Sequence, residues 1–295
     1  MATLPSYLMN DTTKLPSLGL GVYLADSRQT VDSVKYALES GYRLIDTASA
    51  YGNEAAVGEG IRQSDVYREE LFITTKAWLN EYGSIQTPDA LKNSLERLGT
   101  DYIDLYLLHW PSPSSFDKTI VAYRAAEQLQ KQGLIKSIGV CNFTSEHLVR
   151  LMDHTSVIPA VNQIELHPYF TQSDLTEFHK QHGIITQCWS PLGGIYTNHP
   201  ANKEEVIHLL QDSVLTNIAQ RYIRTAALVF LRCHLKHGHS VIPTSVNPKR
   251  FIENINVFDF ELSSIDMASI DQLNKNLRGS AHPDHFDLDF LAQRK

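Results

Sequence analysis

Two hydrophobic periods alternate along the chain. Short apolar runs rich in Ile, Val, Leu, Tyr and Thr recur at 18–23, 44–48, 71–77, 103–110, 135–140, 160–167, 184–192 and 240–244. Each has the length and composition of a β-strand. Between them the period becomes helical. Over 86–98, Ala90, Leu91, Ser94, Leu95 and Leu98 share one face. Over 118–132, Ile120, Val121, Tyr123, Arg124 and Leu129 do the same, and 146–153 and 174–181 are shorter versions. Thr87 reads as an N-cap ahead of Pro88 and Asp89, and Gly99 as the stop. Gly41, Gly133 and Gly183 each close a helix just before a strand.

The strand starts lie 26, 27, 32, 32, 25, 24 and 56 residues apart. Six similar intervals mark a repeated βα unit with a parallel sheet, and eight such strands predict an α/β fold, a (β/α)8 TIM barrel. The last interval is about twice the others, which places an insertion within 193–217. An N-terminal β-hairpin over 7–16 and a polar, turn-prone tail beyond Arg278 complete the outline. The 295 residues suggest about two domains on length alone, but eight similar units make 1–295 one barrel domain with rim loops.

Charge and cysteine content narrow the partners. Lys and Arg number 26 against 33 Asp and Glu, a net charge of −7. That sign disfavours nucleic acid and anionic membrane as the main partner. The three cysteines, Cys141, Cys188 and Cys233, are odd in number, widely spaced and free of C-x-x-C pairing, which points to a reducing, cytoplasmic setting. The first ten residues lack the pattern of a signal peptide, and no run of ~18 apolar residues occurs.

Four polar groups stand at three consecutive strand ends: Asp46, Tyr51 in the loop that follows, Lys76 and His109. Ionisable residues in apolar strands are costly unless paired, and at one rim of a barrel these four would converge. A phenol ionises only near pH ~10. An adjacent ammonium, Lys76, lowers that value, and Asp46 holds the ammonium. His109 orients a carbonyl oxygen. The set suits proton donation to an oxygen on which charge develops, half of a carbonyl reduction. The hydride must come from a nicotinamide or flavin. Neither G-x-G-x-x-G nor G-x-x-x-x-G-K-[ST] is present. A dinucleotide would instead bind at the rim, near residues 242–250, where a helix N-terminus with Ser245, Lys249 and Arg250 attracts phosphate.

Several ordered motifs resemble the aldo-keto reductase family. They are Gly41-Tyr42-Arg43-Leu44-Ile45-Asp46-Thr47-Ala48 with Tyr51-Gly52-Asn53-Glu54, Thr75-Lys76, Asp104-Leu105-Tyr106-Leu107-Leu108-His109-Trp110-Pro111 and Ile138-Gly139-Val140-Cys141-Asn142-Phe143. Asn162-Gln163-Ile164-Glu165-Leu166-His167-Pro168, Ser190-Pro191-Leu192 and Ile242-Pro243-Thr244-Ser245 with Arg250, Glu253 and Asn254 continue the series. The chain most resembles the prokaryotic 2,5-diketo-D-gluconate reductase type. The resemblance implies an NADPH-dependent reductase (EC 1.1.1 type) of aldehydes, ketones or α-dicarbonyls, commonly a monomer. Tyr51 would be the acid, assisted by Lys76, Asp46 and His109. Asn142, Gln163 and Cys141 would meet the nicotinamide carboxamide, with Trp189 near the nicotinamide face. Ser190 and Leu192 would contact the pyrophosphate. Thr244, Ser245, Arg250, Glu253 and Asn254 would hold the adenosine end.

Two positions depart from the family pattern. Cys141 stands where Ser is usual, and a thiol is a weak donor. Thr244 stands where Lys often binds the 2′-phosphate, so NADPH is expected over NADH with a reduced preference and partial use of NADH. Tyr23, Trp78 and Trp110, with Tyr82, follow strand ends and predict an aromatic pocket for small carbonyls, left open by a short tail. Two other readings compete. A metal-dependent hydrolase would use His234, His237 and His239, or His282 and His285, but these fall at a helix end, a loop and the tail rather than at strand ends, so no metal is expected. A binding-only barrel would not need all four polar residues.

Overall fold

The computed structural model describes residues 4–193 and 209–288. An antiparallel hairpin, β1 (Ser6–Leu8) and β2 (Lys14–Pro16), opens the chain. Eight parallel strands follow: β3 (Gly19–Gly21), β4 (Leu44–Asp46), β5 (Phe72–Ala77), β6 (Ile103–Leu108), β7 (Ile135–Cys141), β8 (Val161–Glu165), β9 (Ile185–Trp189) and β10 (Ser240–Val241). They pair in sequence order, and Leu18 bridges Val241 while Gly21 bridges Thr244, joining first to last. The result is the expected (β/α)8 barrel. All eight predicted runs contain a strand, trimmed at the ends where the chain leaves the ladder.

The helices between them are α1 (Ser27–Glu39), α2 (Glu54–Arg62), α3 (Gln86–Leu98), α4 (Phe116–Lys131), α5 (Ser145–Met152) and α6 (Ser173–Gln181). After β9 come α7 (Ser213–Tyr222), α8 (Ala226–Lys236), α9 (Pro248–Ile255) and α10 (Ser264–Asp271). Gly99 ends α3 in the left-handed region at φ 68°, and Gly41, Gly133 and Gly183 also have positive φ. Thr87 is not the N-cap. It lies inside the first turn of α3, where its hydroxyl donates to the Glu81 carbonyl at 2.8 Å. Among the described residues the long last interval holds the helices α7 and α8; residues 194–208 of the expected insertion lie outside the described residues.

Period-two alternation decides what enters the barrel. On β6, Leu105 and Leu107 join Leu44, Phe72, Val161 and Ile242 in an inner cluster, while Tyr106 and Leu108 pack outward in the cluster that also contains helix residues. Met9 and Leu15 of the hairpin segment belong to the inner cluster, so the hairpin plugs the bottom. Space there is tight. A Cβ on Gly139 would sit 2.5 Å from the Val161 carbonyl oxygen, so only glycine fits that inward position. Continuing each inward parity by two residues, or by four on β5, brings Asp46, Lys76, His109, Cys141, Gln163 and Trp189 to the upper end. No helix among the described residues is long and apolar enough to cross a membrane.

Candidate active site

Lys76 is fully buried beneath the barrel mouth, and its ammonium has three partners. It donates to Asp46 Oδ1 at 2.6 Å, to the Thr47 carbonyl at 2.8 Å and to the Tyr51 hydroxyl at 3.4 Å. Strand pairing produces this. β4 and β5 run in register, Asp46 opposite Thr74, and Lys76 is one pleat higher on the same face. A short 3-10 turn over Ser49–Tyr51 then folds Tyr51 back over the lysine. Burial opposes the ammonium, but Asp46, Tyr51 and Cys141 together outweigh it and hold Lys76 above its usual range. Burial likewise raises the Asp46 carboxyl, against the pull of Lys76.

Tyr51 is drawn both ways. Burial pushes its hydroxyl up, and Lys76 pulls it down, but the burial effect is larger. The expected direction of the lysine's influence holds, whereas the expected net lowering does not. The hydroxyl is therefore held as a neutral acid, and because Lys76 occupies its oxygen, its hydrogen is free to point into the mouth. His109 lies beside it, ring centroids 5.7 Å apart. Burial, helped by Lys76, drives the His109 imidazole well below its ordinary value, so the ring is neutral and carries one N–H.

A polar layer extends across the barrel from Asp46. Gln163 Nε2 donates to Asp46 Oδ2 at 2.7 Å and to Gln187 Oε1 at 2.8 Å, and Gln187 donates to Ser240 at 3.2 Å. Gln187 was not singled out from sequence; its inward parity on β9 between two apolar neighbours was the available signal. Asn142, at φ 64°, donates to the His109 carbonyl at 3.1 Å and to Cys141 Sγ at 3.2 Å, and accepts from Trp189 Nε1 at 2.9 Å. Cys141 is buried, its thiol pushed up by burial, and it reaches Gln163 Oε1 at 3.7 Å. A thiol held protonated in this way is no nucleophile.

These groups line a cavity of about 630 Å³. Tyr23, Asp46, Tyr51, Trp78, His109, Trp110, Cys141, Asn142, Gln163, Trp189, Ser190 and Thr244 all face it. Lys76 lies below the floor. Ser245, Arg250, Glu253 and Asn254 lie beyond Thr244 on the β10–α9 loop and α9, with Ser245 and Asn254 buried and Arg250 exposed. Glu253 is engaged by the Thr225 hydroxyl at 2.6 Å. Leu192 is half-buried at the end of the β9 segment.

The tail contributes to the mouth. Gly279, Ser280, Ala281 and Phe286 form one wall, and Phe286 stacks on Trp110 with centroids 3.9 Å apart. Glu165 anchors this wall, accepting from Gly279 N at 2.6 Å, Ser280 N at 3.1 Å and Ser280 Oγ at 2.6 Å. The polar, turn-prone composition of the tail gave no sign of this packing. A buried acid on the inward face of β8 was the signal that something binds there.

A buried Lys–Asp pair under a tyrosine, at the C-terminal mouth of a barrel, is joined by a family match. The aldo/keto reductase family model covers residues 18–275. The chain belongs to the aldo/keto reductase family. It is 46% identical over 294 residues to morphine 6-dehydrogenase of Pseudomonas putida, covering 98% of each. It is 43% identical over 282 residues to methylglyoxal reductase DkgA of Escherichia coli, covering 94% of this chain and 96% of that one. Such bacterial relatives accord with the resemblance to the prokaryotic type. Among solved structures, an aldo-keto reductase from Bombyx mori in complex with NADP matches with a TM-score of 0.87 at 34% identity, covering 96% of this chain and 97% of that one. The chain is thus an aldo-keto reductase family oxidoreductase.

The donors and acceptors in the mouth fit a nicotinamide carboxamide. Both amide hydrogens of Gln163 and both of Asn142 are already directed at protein acceptors. Only their carbonyl oxygens have capacity left, and these suit the NH2 of a carboxamide. The one S–H of Cys141 is directed at Gln163 Oε1 and would have to turn to serve the carboxamide oxygen.

Proposed function

We propose that this aldo-keto reductase uses NADPH to reduce aldehydes, ketones or α-dicarbonyls to alcohols, with the whole barrel serving as one domain. The observation that carries the reading is the Asp46–Lys76–Tyr51 chain, 2.6 and 3.4 Å between successive polar atoms, ending in the cavity beside neutral His109. The nicotinamide, when bound, supplies the hydride to the carbonyl carbon.

The protein's own residues do the rest. His109 offers its N–H to the carbonyl oxygen and fixes the angle of approach. Tyr51 donates its proton to that oxygen as charge develops there. Lys76 stabilises the phenolate left behind, and Asp46 keeps Lys76 charged and aimed. Tyr23, Trp78, Trp110 and Phe286 surround the substrate with aromatic faces, which suits small carbonyls with an apolar or sugar-like body. Asn142, Gln163, Cys141 and Trp189 would hold the nicotinamide end, and Ser190 with Leu192 the pyrophosphate. Ser245, Arg250, Glu253 and Asn254 would hold the adenosine end. Thr244 replaces a cationic contact worth about 1.5–3 kcal/mol, so the preference for NADPH over NADH is reduced and Arg250 carries most of it.

The test is NADPH oxidation followed against aldehydes and α-dicarbonyls, in wild type and Tyr51→Phe. We expect turnover in the wild type. In Tyr51→Phe, kcat should fall by about 10²–10⁴, the usual worth of a positioned acid, with NADPH affinity retained. No turnover across the panel, or near-normal kcat in Tyr51→Phe, overturns the reading. A KM for NADH at or below that for NADPH would overturn the cofactor assignment alone.

A further inference from the structure

A second set of chemistry-bearing side chains converges on the outer face of the barrel wall. On β9, Gln187 and Trp189 point into the barrel, so Cys188 between them points outward, into the layer it shares with Leu231 and Leu235 of α8. There its Sγ lies 3.7 Å from Nδ1 of His234, also on α8. His239, in the turn entering β10, completes the group. One donor atom from each of Cys188, His234 and His239 lies within 4.8 Å of the other two.

Two features prepare these donors. Nε2 of His234 is 3.4 Å from the Pro191 carbonyl, an acceptor only, so that nitrogen carries the proton and Nδ1 turns a lone pair toward the thiol. This is how metal-binding imidazoles are usually oriented. Nδ1 of His239 is buried and has no hydrogen-bond partner among the described residues. A buried polar atom left unsatisfied is costly, and a cation would satisfy it.

We propose that Cys188, His234 and His239 form a zinc site between β9, α8 and the turn before β10. One thiolate and two imidazoles are a zinc donor set, and hard cations such as Mg²⁺ and Ca²⁺ select oxygen instead. Zn–N near ~2.1 Å and Zn–S near ~2.3 Å put tetrahedral donors about 3.3–3.6 Å apart. The Cys188–His234 pair, at 3.7 Å, is close to this spacing, and His239, within 4.8 Å of both, closes on them from a turn that contains Gly238 at φ 82°. Binding forms the Zn–S bond and releases the Cys188 proton to solvent, and neither partner changes oxidation state. The bound ion ties β9 to α8 and β10, directly below Ser190 and Pro191 of the segment that follows β9. A neighbouring group, Cys233, His237 and Asp271, is more exposed, and His237 and Asp271 already pair with each other at 2.9 Å. The test must separate the two.

Full-length reduced protein stripped with chelator is titrated with Co²⁺ as the spectroscopic probe and, separately, with Zn²⁺ while thermal unfolding is followed. We expect one Co²⁺ per chain with a thiolate-to-metal charge-transfer band. Cys188→Ser and His239→Asn should each abolish it, and Cys233→Ser should retain it. Zn²⁺ should raise the wild-type Tm and leave that of Cys188→Ser unmoved. No band, a band that depends on Cys233 rather than Cys188, or an equal Tm shift in Cys188→Ser would overturn the proposal.

Discussion

At the scale of single residues, the barrel mouth is a problem in opposed effects on one phenol. Burial raises Tyr51 and Lys76 lowers it. Replacing Lys76 with Met removes the only lowering partner of consequence and leaves burial unopposed. Reduction should fall by at least about a hundredfold, and any alkaline limb in kcat/KM should move to higher pH, because the phenol then ionises later. A limb that stays in place or moves down would contradict this assignment. Cys141 poses a different question. It is the weak donor in a ring of acceptors, so Cys141→Ser supplies an O–H where an S–H stood. A net hydrogen bond of about 0.5–1.5 kcal/mol corresponds to roughly 2–12-fold tighter NADPH binding. Fluorescence titration measures it, and unchanged or weaker affinity would mean that residue 141 does not touch the carboxamide.

At the scale of elements, strands were legible because a barrel strand is buried on both faces and reads as an unbroken apolar run. The polar exceptions in those runs, Asp46, Lys76 and His109, were legible for the same reason. Thr87 was misread because its hydroxyl serves the preceding turn rather than its own helix end. Cys188 was not legible as a partner of His234 and His239, since it precedes His234 by 46 residues and the α8–β9 packing brings them together. The packing of the tail against β8 was not legible from its polar composition, and it carries a prediction. Glu165 is buried, yet hydrogen bonds from His167 and Ser280 hold its carboxyl below the usual range, against the effect of burial. Its charged oxygens hold the Gly279–Ser280 backbone against β8. Charge-assisted hydrogen bonds are about twice as strong as neutral ones, so Glu165→Gln should loosen the wall that carries Phe286. We expect KM for the carbonyl substrate to rise about tenfold with kcat changed much less, and proteolysis after Arg278 to quicken. A change confined to kcat would place Glu165 in the chemistry instead.

At the scale of the whole molecule, the barrel's stability is linked to histidines that fold uncharged. His179, on α6, is wedged against the outer faces of β8 and β9. Asn162 Nδ2 lies 2.9 Å from its Nε2 and Thr186 Oγ1 lies 2.8 Å from its Nδ1. The asparagine nitrogen can only donate, so Nε2 accepts and Nδ1 carries the proton. A second proton on Nε2 would face that amide. Burial, with a smaller push from His182, lowers His179 to about 3, and burial keeps His109 low as well. In the unfolded chain both titrate near ~6.5. Their contribution is therefore complete above pH ~6.5 and is lost as pH falls toward the folded value, because over that window the unfolded chain binds more protons. Each such group steepens the loss by about 1.4 kcal/mol per pH unit. Urea unfolding between pH 7.5 and 4.5 measures the slope in wild type and in His179→Gln, which keeps a polar partner for Asn162 and Thr186 but cannot ionise. The variant should start less stable at pH 7.5 and lose stability more slowly as the solution is acidified, by about one proton's worth of slope. Equal slopes in the two proteins would show that His179 takes up no proton on unfolding and that other groups set the acid limit of this barrel.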